Sequence, residues 1–437
     1  MSQSRNADAI IIGAGIIGSA TAFELAKRGY KTLNLDKLPT AGYGSTSNSC
    51  AIVRFHYSTW DGVAMAYENK DYWLNWDDYL ETVDQRGTAQ FIQCGSLLYK
   101  SDESDLSKHI ALFDELQIPY EWWNVETLKG KFPIASPAYL PAVTLDDERF
   151  WKEKPTRNLL GAYFTPESGY INDPQLATHN LMVATEAKGG EFAFNSAVSE
   201  IRKSAGHVTG VTLKNGETID APIVGNAAGP HSFVINKLAG VEADMNIKTR
   251  ALRHEVHHVP SPEGFDYEQL GYQVSDHTNG IYFRPETGNS ILVGSEDPES
   301  DERNWIDDPD DYNQNLNTEI WKLQVYRLAK RIPDLSIPAK PSGLVDLYDV
   351  TDDWIPIYDK SDLPGYYMAV GTSGNQFKNA GGVGHLVAEL IDGCENGQDH
   401  DRNPVQVVMP YSGQVLNSGF YSRNRQINED SSFSVLG

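Results

Sequence analysis

Long apolar runs are missing from this 437-residue chain, and nowhere do apolar residues approach the roughly 18 to 20 in succession that a membrane-spanning helix needs. The first ten residues, MSQSRNADAI, hold neither a basic n-region nor a long apolar h-region, so the expected location is the cytoplasm, with no integral membrane association. Cysteine is scarce. Cys50, Cys94 and Cys394, odd in number and at unrelated spacing, argue against a disulfide framework and a Cys-built metal site; they read as ordinary thiols, and no metal is expected. Positive charge is also short: 36 Lys and Arg stand against 60 Asp and Glu, a formal net charge of −24. A field of that sign repels nucleic acid and anionic membrane surfaces. It repels small anions too, so a carboxylate-binding site in this chain has to be a local basic island.

What is present is a large folded protein. The length exceeds what one hydrophobic core usually holds, and 40% hydrophobic residues with nine Trp and 22 Tyr suit a globular enzyme able to enclose a sizeable ligand. Ala9-Ile10-Ile11-Ile12 is a short buried-strand run, residues 19–28 are helix-prone and end at Gly29, and residues 32–35 supply a second strand. This is a βαβ unit and implies a parallel sheet. Between its first strand and helix stands Gly13-Ala14-Gly15-Ile16-Ile17-Gly18, where backbone N–H groups and a positive helix end can meet a pyrophosphate. Asp36, followed by Lys37, ends the second strand, where an acid can accept hydrogen bonds from a ribose hydroxyl. The order of strand, glycines, helix, strand and acid points to a dinucleotide. Spacing alone does not separate FAD from NAD.

A second glycine-punctuated region lies near the other end of the chain: residues 366–370 are strand-like, 371–384 turn-rich and 383–391 helical. Between them, Gly169-Tyr170-Ile171-Asn172-Asp173-Pro174 opens a helix, and 196–202, 208–213 and 217–224 read as strands, with Asn215-Gly216 as a hairpin turn. Further strands are expected at 95–99 and 281–283. The stretches 86–154 and 236–339 are rich in aromatics, Pro and acids. The expected organisation is one domain from 1–85, 155–235 and 340–437, interrupted twice by a second from 86–154 and 236–339. The acidic run 297–311 reads as a solvated loop.

The βαβ unit followed by Gly42-Tyr43-Gly44-Ser45-Thr46-Ser47-Asn48-Ser49 resembles the D-amino-acid oxidase superfamily, in its glycine oxidase and sarcosine oxidase-like branch. Residues 169–174, Ala227-Ala228-Gly229-Pro230-His231-Ser232, the hairpin Ile281-Tyr282-Phe283-Arg284-Pro285-Glu286 with Ile291-Leu292-Val293-Gly294, Asp352-Asp353-Trp354-Ile355-Pro356-Ile357, and Gly371-Thr372-Ser373-Gly374 carry the likeness over most of the chain. It implies an α/β with α+β fold: a Rossmann-like FAD-binding domain in pieces, and a substrate domain whose large, mainly antiparallel sheet covers the flavin. The implied cofactor contacts are Gly13, Gly15, Ile16, Ile17, Gly18, Asp36, Lys37, Gly44, Ser45, Thr46, Ser49, Val198, Ala228, Gly229, Gly371, Gly374, Asn375, Gln376, Phe377 and Lys378.

Hydride removal beside an amine needs chiefly a positioned substrate, and a substrate carboxylate is the natural handle for Arg or Lys. By resemblance Arg54, just past the Gly/Ser loop, and Lys378, in Ser373-Gly374-Asn375-Gln376-Phe377-Lys378, grip that carboxylate. Arg250, Arg253, His254, His257, His258 and Arg284 form a second basic concentration. Strand alternation puts Arg253, Glu255 and His257 on one face and His254, Val256 and His258 on the other. Arg284 and His254 are candidates to face the substrate, and the resemblance adds Tyr348 and His56 as candidates near the flavin. Two departures stand out: residues 343–348 lack the Cys to which sarcosine oxidases attach FAD, so a noncovalent flavin is expected, and Leu292 replaces a Lys that promotes reaction with oxygen. The expected partners are a small anionic amine and either oxygen or another electron acceptor. N-substituted glycines such as sarcosine, dimethylglycine or iminodiacetate are the expected substrates, the surplus cations favouring a dicarboxylate. The alternatives are a D-amino acid or cyclic amino acid dehydrogenase feeding a quinone or carrier protein, a flavin-binding protein without turnover, and a pyridine-nucleotide dehydrogenase, which the C-terminal glycine motif disfavours.

Overall fold

The computed structural model describes residues 5–436. Its N-terminal unit is a strand at Ala9–Ile12, a helix at Ile16–Lys27 and a strand at Thr32–Leu35. The strands match the sequence reading, while the helix begins three residues before the expected 19, directly at the glycine turn. Gly13 makes this start possible. Its φ is +113°, and a Cβ there would lie 2.2 Å from the Ala227 carbonyl oxygen, so only glycine lets the turn pack against the neighbouring strand end. A Cβ at Gly18 would lie 2.3 Å from the Gly13 carbonyl oxygen, so this glycine lets the helix sit on the turn.

These strands belong to a six-stranded sheet ordered Glu191–Ala193, Thr32–Leu35, Ala9–Ile12, Ile223–Asn226, Tyr366–Val370 and Ile357–Lys360. All neighbours are parallel except the last pair. The central strands are fully buried, which is why they read as continuous Ile and Val runs. The helices Ile16–Lys27, Pro174–Ala187 and Ala380–Glu395 pack together on one face. The last is longer than the expected 383–391. Residues 217–224 do not form one strand: Thr218–Asp220 joins a four-stranded sheet, whereas Ile223–Asn226 joins the six-stranded one. Pro222, without an N–H, stands at the break.

A nine-stranded sheet, mainly antiparallel, faces this unit. Its long strand Thr249–Pro260 pairs with Ser290–Ser295, Asn304–Ile306 and Gly343–Thr351, and Ile281–Glu286 and Gln273–Asp276 continue it. Gly161–Thr165 and Gly343–Thr351 also belong to it, so the sheet draws on segments on both sides of the expected domain junctions. The acidic run 297–311 is more than a solvated loop: Asp297 pairs with His254, Asp301 with Arg327, Asp310 with Lys37 and His231, and residues 304–306 form a strand. Among the described residues no helix is long and apolar enough to cross a membrane, and no group of acids, His and Cys could hold a metal ion.

Candidate active site

A cavity of about 730 Å³ runs from the glycine turn of the first strand to the nine-stranded sheet, within the size range of cofactor and ligand sites. At one end are Gly13, Gly15, Ile16 and Ile17. The N-cap of the helix starting at Ile16 is Gly15, which has no side chain to offer, so the N–H groups beyond Ile16 and the positive dipole end are left toward the cavity. Thr46 Oγ1 accepts from the Ile16 N–H at 3.1 Å, binding the Gly/Ser loop to the helix start. Asp36 accepts from the N–H groups of Ala14 at 2.8 Å and Leu38 at 2.9 Å, which fixes its carboxylate on the wall. A helix end for an anion, an acid for a ribose and a long groove fit the adenosine-diphosphate half of FAD.

The Gly/Ser loop forms the middle of the wall with Gly44, Ser45, Thr46 and Ser49. Ser45 Oγ donates to Asp346 at 2.8 Å and Asn48 Nδ2 donates to its other oxygen at 2.6 Å, tying the loop to the Gly343–Thr351 strand. Val198, Ala228, Gly229, Gly374, Asn375, Gln376 and Phe377 line the cavity, as does Lys37, which reaches Asp310. Two of the expected cofactor contacts do not. Gly18 acts by its close fit against Gly13, and Gly371 donates its N–H to the Asp349 carboxylate at 2.6 Å. Asp349 also accepts from Ser232 at 2.7 Å, and its burial pushes the carboxyl up to about 7.

At the other end Arg54 and Lys378 share one wall. Arg54 follows the short strand Ile52–Val53, which is held by pairing with Gly169–Ile171. Lys378 sits in the single turn Phe377–Asn379, where Trp73 Nε1 donates to its carbonyl at 2.6 Å and the Trp73 ring stacks on Phe377. Both cations lie against the Tyr57 ring, and Lys378 Nζ also reaches the Tyr57 hydroxyl and the Asn375 carbonyl. They are 6% and 3% exposed, and neither has a carboxylate partner among the described residues. Burial, followed by the Arg54 charge, pulls the Lys378 pKa well below the ordinary lysine value. A buried arginine and a buried lysine with no ion-pair partner among the described residues make a seat for an anion that comes from outside. Residues 435 and 436 also reach this end: the Val435 carbonyl accepts from Arg54 Nη2 at 2.5 Å and from Asn375 Nδ2 at 3.3 Å.

His254 and Tyr348 line the cavity as stacked rings with centroids 4.1 Å apart, and His254 Nε2 lies 3.1 Å from Asp297. Arg284 does not line it. Its Nε donates to the Cys50 carbonyl at 2.8 Å, Nη2 pairs with Glu286 at 3.0 Å, and the guanidinium stacks over Tyr170. Arg253 and His257, on the opposite strand face from His254, are buried around Glu255 near the Thr318–Arg331 helix. Arg250 covers Trp305. The expected surplus of basic residues on the wall therefore shrinks to Arg54, Lys378 and His254. His56 is buried behind the wall, its Nε2 3.2 Å from Ser275 Oγ, and burial holds it well below the ordinary histidine pKa.

Several wall residues carried no signal in the sequence. Cys50 lies with Sγ 3.2 Å from the Tyr282 hydroxyl, and burial pushes its thiol pKa up. Glu296, with Ser275, adds a carboxyl to the end occupied by Arg54 and Lys378. Position alone, just past a strand ending Val293-Gly294-Ser295, gives no hint of this.

Comparison with known proteins agrees with this geometry. Residues 8–390 match the DAO family, FAD dependent oxidoreductase. Sarcosine oxidase subunit beta of Arthrobacter sp is 26% identical over 389 residues, spanning 88% of this chain and 86% of the relative. Among solved structures, L-proline dehydrogenase from P. horikoshii superposes with a TM-score of 0.75 at 21% identity, covering 96% of this chain and 98% of the other. Glycine oxidase from Geobacillus kaustophilus gives 0.73 at 19% identity, covering 97% and 100%. With its glycine turn, Asp36 and the buried cations at the far end of one cavity, the chain belongs to the DAO family of FAD-dependent oxidoreductases, enzymes that act on amino-acid C–N bonds.

Proposed function

We propose that the protein oxidises the C–N bond of a small secondary or tertiary amine bearing one carboxylate, an N-substituted glycine such as sarcosine or dimethylglycine, to an imine that water hydrolyses. The observation that carries this is the convergence of Arg54 and Lys378, buried and without an acidic partner, on the wall of the cavity that begins at the dinucleotide turn. The flavin, when bound, supplies acceptance of a hydride from the carbon beside the amine. Arg54 and Lys378 hold the carboxylate, and the His254–Tyr348 stack bounds the pocket. A monocarboxylate is favoured over iminodiacetate because Arg253, His257 and Arg284 are engaged elsewhere and the wall carries Glu296, which repels a second carboxylate when ionised. The six-stranded sheet and its helices form the cofactor-binding part in this reading, and the nine-stranded sheet the substrate-binding part. The flavin is held without a covalent bond, since residues 343–348 hold no Cys and the Cys50 thiol faces Tyr282.

The test is anaerobic reduction of the bound flavin by a panel of N-substituted glycines and by the same amines without the carboxylate. A charge-assisted hydrogen bond contributes about 1.5 to 3 kcal/mol, so Lys378→Met or Arg54→Ala lowers the efficiency of reduction roughly 10- to 150-fold with flavin content nearly intact. Wild-type reduction kinetics in Lys378→Met with a carboxylated amine overturn the reading. Mixing the reduced enzyme with oxygen then identifies the acceptor. Leu292 is apolar and buried in the hairpin, so slow reoxidation, and with it a carrier as acceptor, is the expected result.

A further inference from the structure

Glu296 is an acidic side chain on the cavity wall beside Arg54 that the grip on a carboxylate leaves unused. It is 4% exposed. The Ser275 hydroxyl donates to Oε1, and His56 Nε2 supports Ser275 from behind at 3.2 Å. Oε2 is buried and has no hydrogen-bond partner. No Lys, Arg or His forms an ion pair with this carboxyl among the described residues, and an unpaired buried oxygen of this kind is destabilising unless a donor arrives to meet it. An amine whose carboxylate rests on Arg54 and Lys378 brings an N–H donor into this end of the cavity.

We propose that Glu296 takes the proton of the substrate ammonium on Oε2 and so delivers the amine with a free lone pair. The inference rests on the proposed carboxylated-amine reading and adds the proton transfer that reading leaves open. The step balances as an acid–base exchange: the N–H bond of the ammonium breaks, its proton forms the O–H bond of the Glu296 carboxyl, and the electron pair stays on nitrogen. Hydride loss from the adjacent carbon requires that lone pair, because an ammonium nitrogen has none with which to stabilise the cationic imine. Ser275 holds Oε1, which leaves Oε2 as the unpartnered oxygen of a residue on the cavity wall.

The charged and titratable groups around Glu296 set its working range. Burial dominates and pushes the carboxyl up to about 8; Ser275 and Arg54 oppose this, and Asp276 and Asp297 reinforce it. His56, beyond Ser275, is kept neutral by burial. Glu296 must be ionised to accept the proton. Reduction by substrate therefore falls about 10-fold per pH unit as pH drops below about 8.

Two measurements on the holoenzyme test this. In the first, the pH profile of flavin reduction is compared between wild type and Glu296→Gln. The variant loses the limb near 8 and follows the substrate amine's own ionisation alone, rising by about 10-fold per pH unit up to the amine's pKa. Ser275→Ala keeps the acid but removes a bond to its ionised form, and moves the limb to higher pH. The second measures binding, using acetate, which has a carboxylate but no amine, and the spectral perturbation of the flavin. Acetate binds wild type more weakly as pH rises through about 8, since ionised Glu296 repels it, and Glu296→Gln removes that component while leaving whatever Lys378 contributes.

An unchanged reduction profile or an unchanged acetate dependence in Glu296→Gln overturns the proposal. If Glu296→Gln does not fold, a limb in Ser275→Ala that stays where it is in wild type overturns it instead. Failure of acetate to bind, or acetate binding indifferent to Lys378→Met, overturns the carboxylated-amine reading itself, a result distinguishable from either.

Discussion

Arg284 and His254 stand on facing stretches of one sheet, yet only His254 reaches the cavity, and strand geometry gives the reason. Arg284 shares a sheet face with Tyr282, which lines the wall, but two residues along a strand is a displacement of about 7 Å. That step carries the guanidinium past the cavity to the Cys50 carbonyl and Glu286. Its role is to fix the backbone just before Arg54. Arg284→Gln is therefore expected to destabilise the fold by about 3 to 5 kcal/mol, the usual cost of breaking a buried charge pair, while the rate constant of flavin reduction in the surviving holoenzyme stays within about twofold of wild type. Urea unfolding and rapid-mixing kinetics on the same preparation separate the two; a large fall in the rate constant with unchanged stability contradicts this assignment. Arg54 and Lys378 were legible in the sequence only through resemblance, because nothing local links residues on opposite sides of the fold. Glu296, Ser275 and Tyr57 were not legible, since what joins them to the site is the register of distant strands and loops.

At the scale of elements, the βαβ unit was readable because each feature is local: a run of Ile, a glycine turn and an acid at the end of the next strand. The tie between the Gly/Ser loop and the Gly343–Thr351 strand was not, as it joins Ser45 and Asn48 to Asp346 across most of the chain. This strand also presents Tyr348 to His254 and supplies the Asp349 carboxyl beneath Gly371. It thus couples cofactor wall and substrate wall through one rigid piece of sheet. Asp346→Ala leaves the Asn48 amide without its acceptor and the Ser45 hydroxyl with the Leu347 carbonyl alone, a loss of about 1 to 3 kcal/mol in the ordering of the loop. The dissociation constant for FAD is expected to rise by about 5- to 150-fold, read from recovery of free-flavin fluorescence on dilution. Unchanged retention means that the loop is ordered by the cofactor and needs no strand.

For the whole molecule, the density of buried histidine sets the acid limit of stability. Burial holds His109 and His257 each down at about 4. Their folded-state pKa lies below the ordinary value of the unfolded chain, so the unfolded chain binds these protons first, and stability present above about 6.5 is lost as pH falls toward 4. One such proton gives a slope of up to about 1.4 kcal/mol per pH unit. His257→Gln should flatten the urea midpoint against pH over this window by up to that amount, and a slope as steep as wild type removes His257 from the account. The contact between Val435 and Arg54 has a different consequence. A carboxylate that binds an arginine fork takes two parallel N–H donors, and each terminal nitrogen of Arg54 already spends one of its two N–H groups on a carbonyl, of His56 and Val435. Docking of the 433–436 segment and occupancy of the pocket draw on the same guanidinium and are linked equilibria, and the factor by which one changes the other is returned in full. Saturating acetate should speed amide deuterium exchange in this segment, and shortening the chain before residue 433 should tighten acetate by a matching ratio; slower exchange would instead make the segment a clamp that closes on its ligand.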